Sequence, residues 1–375
     1  MKYAIYGAGS LGIVLAAKLK NTTKQEVIII DRNIKSVEAL NKDGAIVIGT
    51  TQLKEKVTAI LDTHVNEKFD IIFLMTKQLG NKETIEKITK FLTKDGVICT
   101  MQNGLPEQEI SEIIGSDRTY GCPVSWGATR IKPGTSELTS QPAYDSLSFN
   151  IGNFSGVYNE YLDEIKKILS NVGKVTVDDN LIGGRWAKLL INSSLSGSNT
   201  MFGGTFGSTI SNKKEREIVL RIIKEGIIVA HAANIKIEKI QNSDIGYMFD
   251  YHNVLSKQFC LSFLINSEFC KWNKLKASML QDIDKGIPTE VDYINGVVCK
   301  FGRKFNVKTP FNDKVVEIIH KIEKKELNPC PENAELFNDI INQPEIDSVK
   351  FNVKKILICI GAIVILIFCM IKMIK

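Results

Sequence analysis

The sequence lacks the residue groupings that hold metals. Its four histidines, His64, His231, His252 and His320, lie far apart, and its eight cysteines include no C-x-x-C pair. Neither pattern has the spacing of a ligand set, so no metal is expected. Cysteines scattered in this way read as reduced thiols of a cytosolic protein. A dense basic block interleaved with aromatics is also missing, and a net charge of +6 is mild for 375 residues. Nucleic acid is therefore not an expected partner. No leader-like segment stands before the first apolar run, which begins almost at Met1. The catalytic part is accordingly expected to face the cytosol.

What the chain does have, at its start, is a strand, a glycine loop and a helix. Apolar residues make up 44% and charged residues 24%, ordinary values for a globular protein. The length is enough for two domains with substantial cores. Tyr3 to Tyr6 reads as a short buried strand, and Ile13 to Leu19 reads as a helix packed on a sheet. Between them runs Gly7-Ala8-Gly9-Ser10-Leu11-Gly12. In G-x-G-x-x-G spacing the first glycine permits a tight turn and the second lets the backbone approach a pyrophosphate. The third lets helix and strand pack closely. The free N–H groups at the helix start then face the phosphates. A second strand, Val27 to Ile30, ends at Asp31, 19 residues past Gly12, near the place of a ribose partner. Asp31 favours a free 2′-hydroxyl, hence NAD. Arg32 beside it suits a 2′-phosphate, hence NADP.

Strand-length apolar runs recur at Asp70–Met75 and Gly96–Thr100, with helical patterns between. This alternation predicts an α/β, doubly wound parallel sheet of Rossmann type over residues 1–178. Lys77 and Asn103 follow directly on strands, at the carboxyl ends where such sheets bind ligands. Residues 119–152 read as antiparallel additions to the sheet. From about Asn180 the patterns are helical: Arg185–Ser196, Lys213–Ala233, Phe259–Lys285, Glu290–Phe301 and Asn312–Lys325. They predict an all-α second domain over 179–326. Residues 327–353 are polar and carry Pro329, Pro331 and Pro344, which fits a linker. Ile356 to Ile371 then carries no charge and is flanked by lysines. As a helix these 16 residues span about 24 Å, against a hydrocarbon core of about 30 Å. A C-terminal transmembrane anchor over 354–375, and hence a membrane location, is the expectation.

Two further stretches bear chemistry. Lys188, Asn192 and Ser196 follow at i, i+4 and i+8, one face of a helix with a drift of about 40° per step. On periodicity alone, a polar stripe facing water explains them equally well. In Gly286-Ile-Pro288-Thr289-Glu290 one helix should end and the next begin, with Thr289 as N-cap. Glu290 would then lie in a first turn, where the helix dipole favours its ionised form.

Together these residues resemble the ketopantoate reductase (2-dehydropantoate 2-reductase) family. The matching pieces are GAGSLG at 7–12, Lys77, QNG at 102–104, WAKLLIN at 186–192, SMLQD at 278–282, PTEVDYING at 288–296 and TP at 309–310. The resemblance implies NADPH-dependent reduction of a 2-keto acid, ketopantoate, to the 2-hydroxy acid, with NADH as the alternative cofactor. It implies Lys188 as proton donor and Glu290 as its acidic partner near the cofactor. It places Asn103 between nicotinamide and substrate. Asn192 and Ser278 then hold substrate oxygens, with Ser196 one turn on, while Lys77 and Gly127 meet the cofactor. The helical domain would serve substrate binding and a homodimer. Two departures stand out: Ser196 and Phe206 occupy positions where many members carry asparagine. The alternatives are reduction of another 2-keto acid and a catalytically silent dinucleotide sensor.

Overall fold

The structure, a computed structural model, describes residues 1–124, 126–139, 147–240, 243–266 and 274–343. Its strands are β1 (Tyr3–Tyr6), β2 (Ile28–Asp31), β3 (Ala45–Gly49), β4 (Leu53–Glu55), β5 (Thr58–Leu61), β6 (Phe69–Leu74), β7 (Leu92–Thr100), β8 (Thr119–Gly121), β9 (Ala128–Lys132), β10 (Thr135–Leu138), β11 (Leu147–Asn153) and β12 (Gly173–Val177). Among the described residues eight of these form one sheet in the order β12-β11-β8-β7-β6-β1-β2-β5. From β5 to β7 neighbours run parallel, as the apolar runs predict. A strand covered on both faces must be apolar on both. Along β1 and β6, accordingly, Ile5, Ile71 and Phe73 enter one core while Ala4, Tyr6, Ile72 and Leu74 enter the other.

The helices of this half are α1 (Ser10–Thr23), α2 (Ile34–Asp43), α3 (Asn81–Thr89), α4 (Glu107–Ile114) and α5 (Glu160–Ser170). Ile13, Leu15 and Leu19 of α1 lie in the first core, and Ile85, Ile88 and Ile110 of α3 and α4 in the second. The expected antiparallel additions are corrected in part. β8 pairs parallel with β7, and β11 pairs antiparallel with β8. β9 and β10 leave the main sheet and join β3 and β4 in a separate four-stranded one. Its β3–β10 pairing joins residues 89 apart, such as Thr135 with Ile46.

The second half comprises α6 (Leu181–Ile191), α7 (Gly197–Phe202), α8 (Phe206–Ser211), α9 (Lys213–Ala232), α10 (Ile245–Met248), α11 (Val254–Asn266), α12 (Ser278–Asp284), α13 (Val291–Lys304), α14 (Pro310–Glu323) and α15 (Asn338–Ile341). Helix α9 runs through its core, with Ile218, Leu220, Ile222 and Ile227 fully buried. Two expected helices differ. The stretch 185–196 is not one regular helix: between α6 and α7, Asn192–Ser196 forms a π-helical turn. The expected 259–285 helix is two, α11 and α12.

The polar linker expected over 327–353 is corrected as far as 343. Pro331–Phe337 is a 3₁₀ turn leading into α15. Phe337 is fully buried and stacks on Phe311 at 5.8 Å. Asn333 Nδ2 donates to the Met201 carbonyl at 2.9 Å. A few inward groups dock this segment although its overall composition is polar. The expected transmembrane anchor is corrected as well. Among the described residues no helix is long and apolar enough to cross a membrane. The segment 354–375 itself lies outside the described residues. The described residues therefore form a Rossmann-like domain and a helical domain, with no membrane-spanning helix among them.

Candidate active site

The two halves meet at the carboxyl ends of β6 and β7. Helix α6 reaches this edge through Arg185, whose Nε donates to Glu107 Oε1 at 2.7 Å. Its Nη2 donates to the Thr100 carbonyl at 3.0 Å, and its Nη1 to the Gln102 carbonyl. Arg185 and Glu107 are both buried, so a dry ion pair docks the helix on the end of β7. Burial pushes Glu107 up, and the Arg185 guanidinium pulls it back.

One turn beyond Arg185, the partly buried Lys188 extends its ammonium over the strand ends. Lys188 Nζ donates to Asn103 Oδ1 at 3.0 Å and to the Val124 carbonyl at 2.7 Å. Burial lowers its pKa to about 7, and the Arg185 charge adds to the lowering. Cys122 and Glu290 act in the opposite direction. Asn103 is itself fixed, because Gln78 Nε2 donates to its carbonyl and its side chain also hydrogen-bonds Glu290. Gly104 behind it has φ +72, and a Cβ there would stand 2.3 Å from the Tyr293 carbonyl oxygen.

Glu290 is buried, and its Oε1 accepts the Gln78 N–H at 3.0 Å. Burial raises its pKa, while the Gln78 N–H and the Lys77 charge oppose the rise. It is the N-cap residue of α13, one place before the expected first turn. Thr289, expected as that cap, accepts the Val291 N–H at 3.3 Å instead. Lys188, Asn103 and Glu290, about 190 residues apart at the extremes, thus form one connected group.

The glycine loop lies on the same edge of the sheet. Gly7 has φ +117, and a Cβ on Gly12 would stand 2.0 Å from the Gly7 carbonyl oxygen. Both glycines are demanded by this turn and its packing. A Cβ on Gly9 would meet nothing nearer than 3.9 Å, so open space remains beside the backbone there. Helix α1 has no side-chain N-cap and no acid in its first turn. Its leading amides, from Ser10 and Leu11 onward, are therefore free to receive an anion. Asp31 Oδ2 accepts the Ala8 N–H, and its Oδ1 accepts the Asn33 N–H at 2.7 Å. Arg32 is exposed beside it. This loop fits a dinucleotide pyrophosphate. Lys77 forms an ion pair with Asp282 of α12. Gly127 is exposed and leads into β9, which packs against α1.

Along the lysine helix, Asn192 opens the π turn and is partly exposed, whereas Ser196 closes it and is 8% exposed. Ser278 is exposed as the first residue of α12, which packs against this turn. Phe206 opens α8, where its N–H donates to the Leu275 carbonyl at 3.0 Å. Sequence reading missed Arg185, Glu107 and Gln78. Arg185 did leave one signal: a cation one turn before Lys188 in an otherwise apolar helix.

Family models match both halves of the chain. A model described as ketopantoate reductase PanE/ApbA matches residues 3–154, and its C-terminal companion matches residues 180–323. A relative named 2-dehydropantoate 2-reductase, from Pyrococcus horikoshii, is 29% identical over 314 residues, covering 83% of this chain and 94% of its own. Two solved structures share the fold. One is a D-mandelate dehydrogenase with NADH and anilino(oxo)acetate, with a TM-score of 0.72 and 24% identity, spanning 87% of this chain and 99% of that one. The other is a PanE/ApbA family ketopantoate reductase from Ralstonia eutropha, with a TM-score of 0.73 and 19% identity over the same shares.

Proposed function

The chain belongs to the ketopantoate reductase family, and from that premise we propose that it reduces 2-dehydropantoate to pantoate with NADPH, Lys188 supplying the proton. The observation that carries this reading is the Lys188–Asn103–Glu290 group at the strand ends beside the glycine loop. The reduced nicotinamide supplies the hydride when it is bound. Lys188 holds the keto oxygen through its ammonium, stabilises the negative charge that develops there and then protonates it. Asn103 and the Val124 carbonyl aim that ammonium. Glu290 holds the Asn103 side chain and lends negative charge near the lysine. Asn192, Ser196 and Ser278 supply polar contacts for the substrate. Lys77 and Gly127 stand toward the cofactor, with Ala8, Ser10 and Leu11 of the loop holding its pyrophosphate.

The lysine sets a pH dependence. Only its protonated form can donate, and at a pKa of about 7 that form is lost as pH rises. We expect kcat/KM for ketopantoate reduction to be level at low pH and to fall as pH passes about 7. A reduction rate unchanged up to pH 9, measured by NADPH absorbance, would remove Lys188 from the proton-donor role.

The preference for NADPH rests on Arg32. Both Asp31 oxygens already accept backbone N–H groups, whereas Arg32 stands exposed beside them. A charge-assisted hydrogen bond is worth about 1.5–3 kcal/mol, so Arg32→Ala should weaken NADPH binding roughly 10- to 100-fold. NADH binding should stay unchanged. Equal losses for both cofactors in a fluorescence titration would mean that Arg32 does not meet the 2′-phosphate.

A further inference from the structure

The π turn between α6 and α7 has a cost that one buried amide offsets. In a regular helix the Gly197 N–H would bond to the Ser193 carbonyl, four residues back. Here it bonds instead to the Asn192 carbonyl, five residues back. That leaves the Ser193 carbonyl without its helical donor in a fully buried position, where an unpaired group is expensive. Asn295 Nδ2, from α13, donates to it at 3.0 Å. Gly197 leaves room for this approach, since a Cβ there would stand 2.8 Å from Asn295 Oδ1.

Asn295 is anchored in turn. Its Nδ2 also donates to Asn312 Oδ1 at 3.0 Å, and Asn312 Nδ2 donates to Glu225 Oε2 at 2.8 Å. The Glu225 carboxylate is held at the start of α14 by the N–H groups of Phe311 and Asn312, at 2.8 and 2.9 Å. Glu225, Asn312, Asn295 and Ser193 are all buried. Helices α9, α14 and α13 thus converge through one polar chain on a single carbonyl of the π turn. Upstream, Ser194 Oγ donates to the Leu190 carbonyl at 2.6 Å, which serves the other side of the widened turn.

The turn lies between Lys188 and the residues beyond it. A π turn is wider than an α turn, so inserting one changes the direction of every side chain that follows. Asn192 opens it with a regular N–H bond back to the Lys188 carbonyl, whereas Ser196 closes it, past the widening. Lys188 lies before it and is fixed separately, through Arg185 and Asn103. We infer that Asn295, backed by Asn312 and Glu225, is a positioning residue for the substrate. It holds the π turn and thereby sets where Ser196 points relative to Lys188. This inference rests on the reading that the Ser196 side chain binds the keto acid.

The test is Asn295→Asp, which keeps the size of the side chain and removes the donor. Misplacing binding groups by about an ångström costs up to roughly 100-fold, so the KM for ketopantoate should rise about 10- to 100-fold. Loss of binding shared by ground and transition states leaves kcat nearly unchanged, and NADPH affinity should also be kept. Hydrogen–deuterium exchange of the amides at 193–197, measured without substrate, should accelerate. If Asn295→Asp does not fold, Asn312→Ala, which leaves Asn295 in place without its anchor, should show the same changes in smaller measure. Unchanged exchange would show that Asn295 does not hold the turn and would overturn the inference. Faster exchange with an unchanged KM would overturn the positioning role. A wild-type chain that turns over no keto acid fails the functional reading instead, and the exchange measurement then still decides whether Asn295 holds the turn.

Discussion

Lys188→Ala is expected to lower kcat for ketopantoate reduction by about 10²–10⁴, the usual range for loss of a general acid. The variant removes the ammonium that Asn103 Oδ1 and the Val124 carbonyl aim. It leaves the glycine loop, Asp31 and Arg32 untouched. Dinucleotide binding should therefore match the wild type, and the whole loss should appear in turnover. Steady-state kinetics beside a fluorescence titration with NADPH separate the two. Activity above about a tenth of wild type would exclude Lys188 as the proton donor.

The second large effect is on stability. Arg185→Ala leaves the Glu107 carboxylate buried with no cation and strips the donors from two carbonyls at the end of β7. Breaking a buried pair from one side costs about 3–5 kcal/mol, whereas replacing both members with apolar groups of similar volume is often neutral. Arg185→Ala should thus lower stability by about 3–5 kcal/mol in urea denaturation, and Glu107→Leu with Arg185→Met should recover most of it. A double variant as unstable as the single one would show that the ion pair itself, and not the stranded carboxylate, holds α6 in place.

The legible parts of this molecule are the local ones. The glycine loop can be read because its three glycines answer to a turn and a close approach within six residues, as the contacts at Gly7 and Gly12 bear out. The parallel sheet can be read because β1, β6 and the second half of β7 are mostly apolar on both faces. Long-range pairings leave no such trace. β3 and β10 are short, and each finds its partner only in the folded chain. Arg185 and Glu107 are 78 residues apart, and neither predicts the other. The π turn was hidden because side-chain periodicity assumes a regular helix. The amide that pairs with its Ser193 carbonyl, Asn295, lies more than a hundred residues away. The 331–341 segment misled through composition, since a mostly polar stretch with prolines docks through Phe337 and Asn333. The resemblance led to Lys188, Asn103 and Glu290 together, and only the fold displays why they belong together.

The central claim is that this edge of the sheet reduces a 2-keto acid. Its most direct test is stopped-assay chemistry on the full chain with ketopantoate and NADPH, following NADP⁺ and pantoate together. The account predicts both products in equal amounts and no NADPH oxidation without the keto acid. Tight dinucleotide binding with no turnover, of ketopantoate or of other 2-keto acids and with NADPH or NADH, would contradict it and leave a dinucleotide-binding protein without reductase activity.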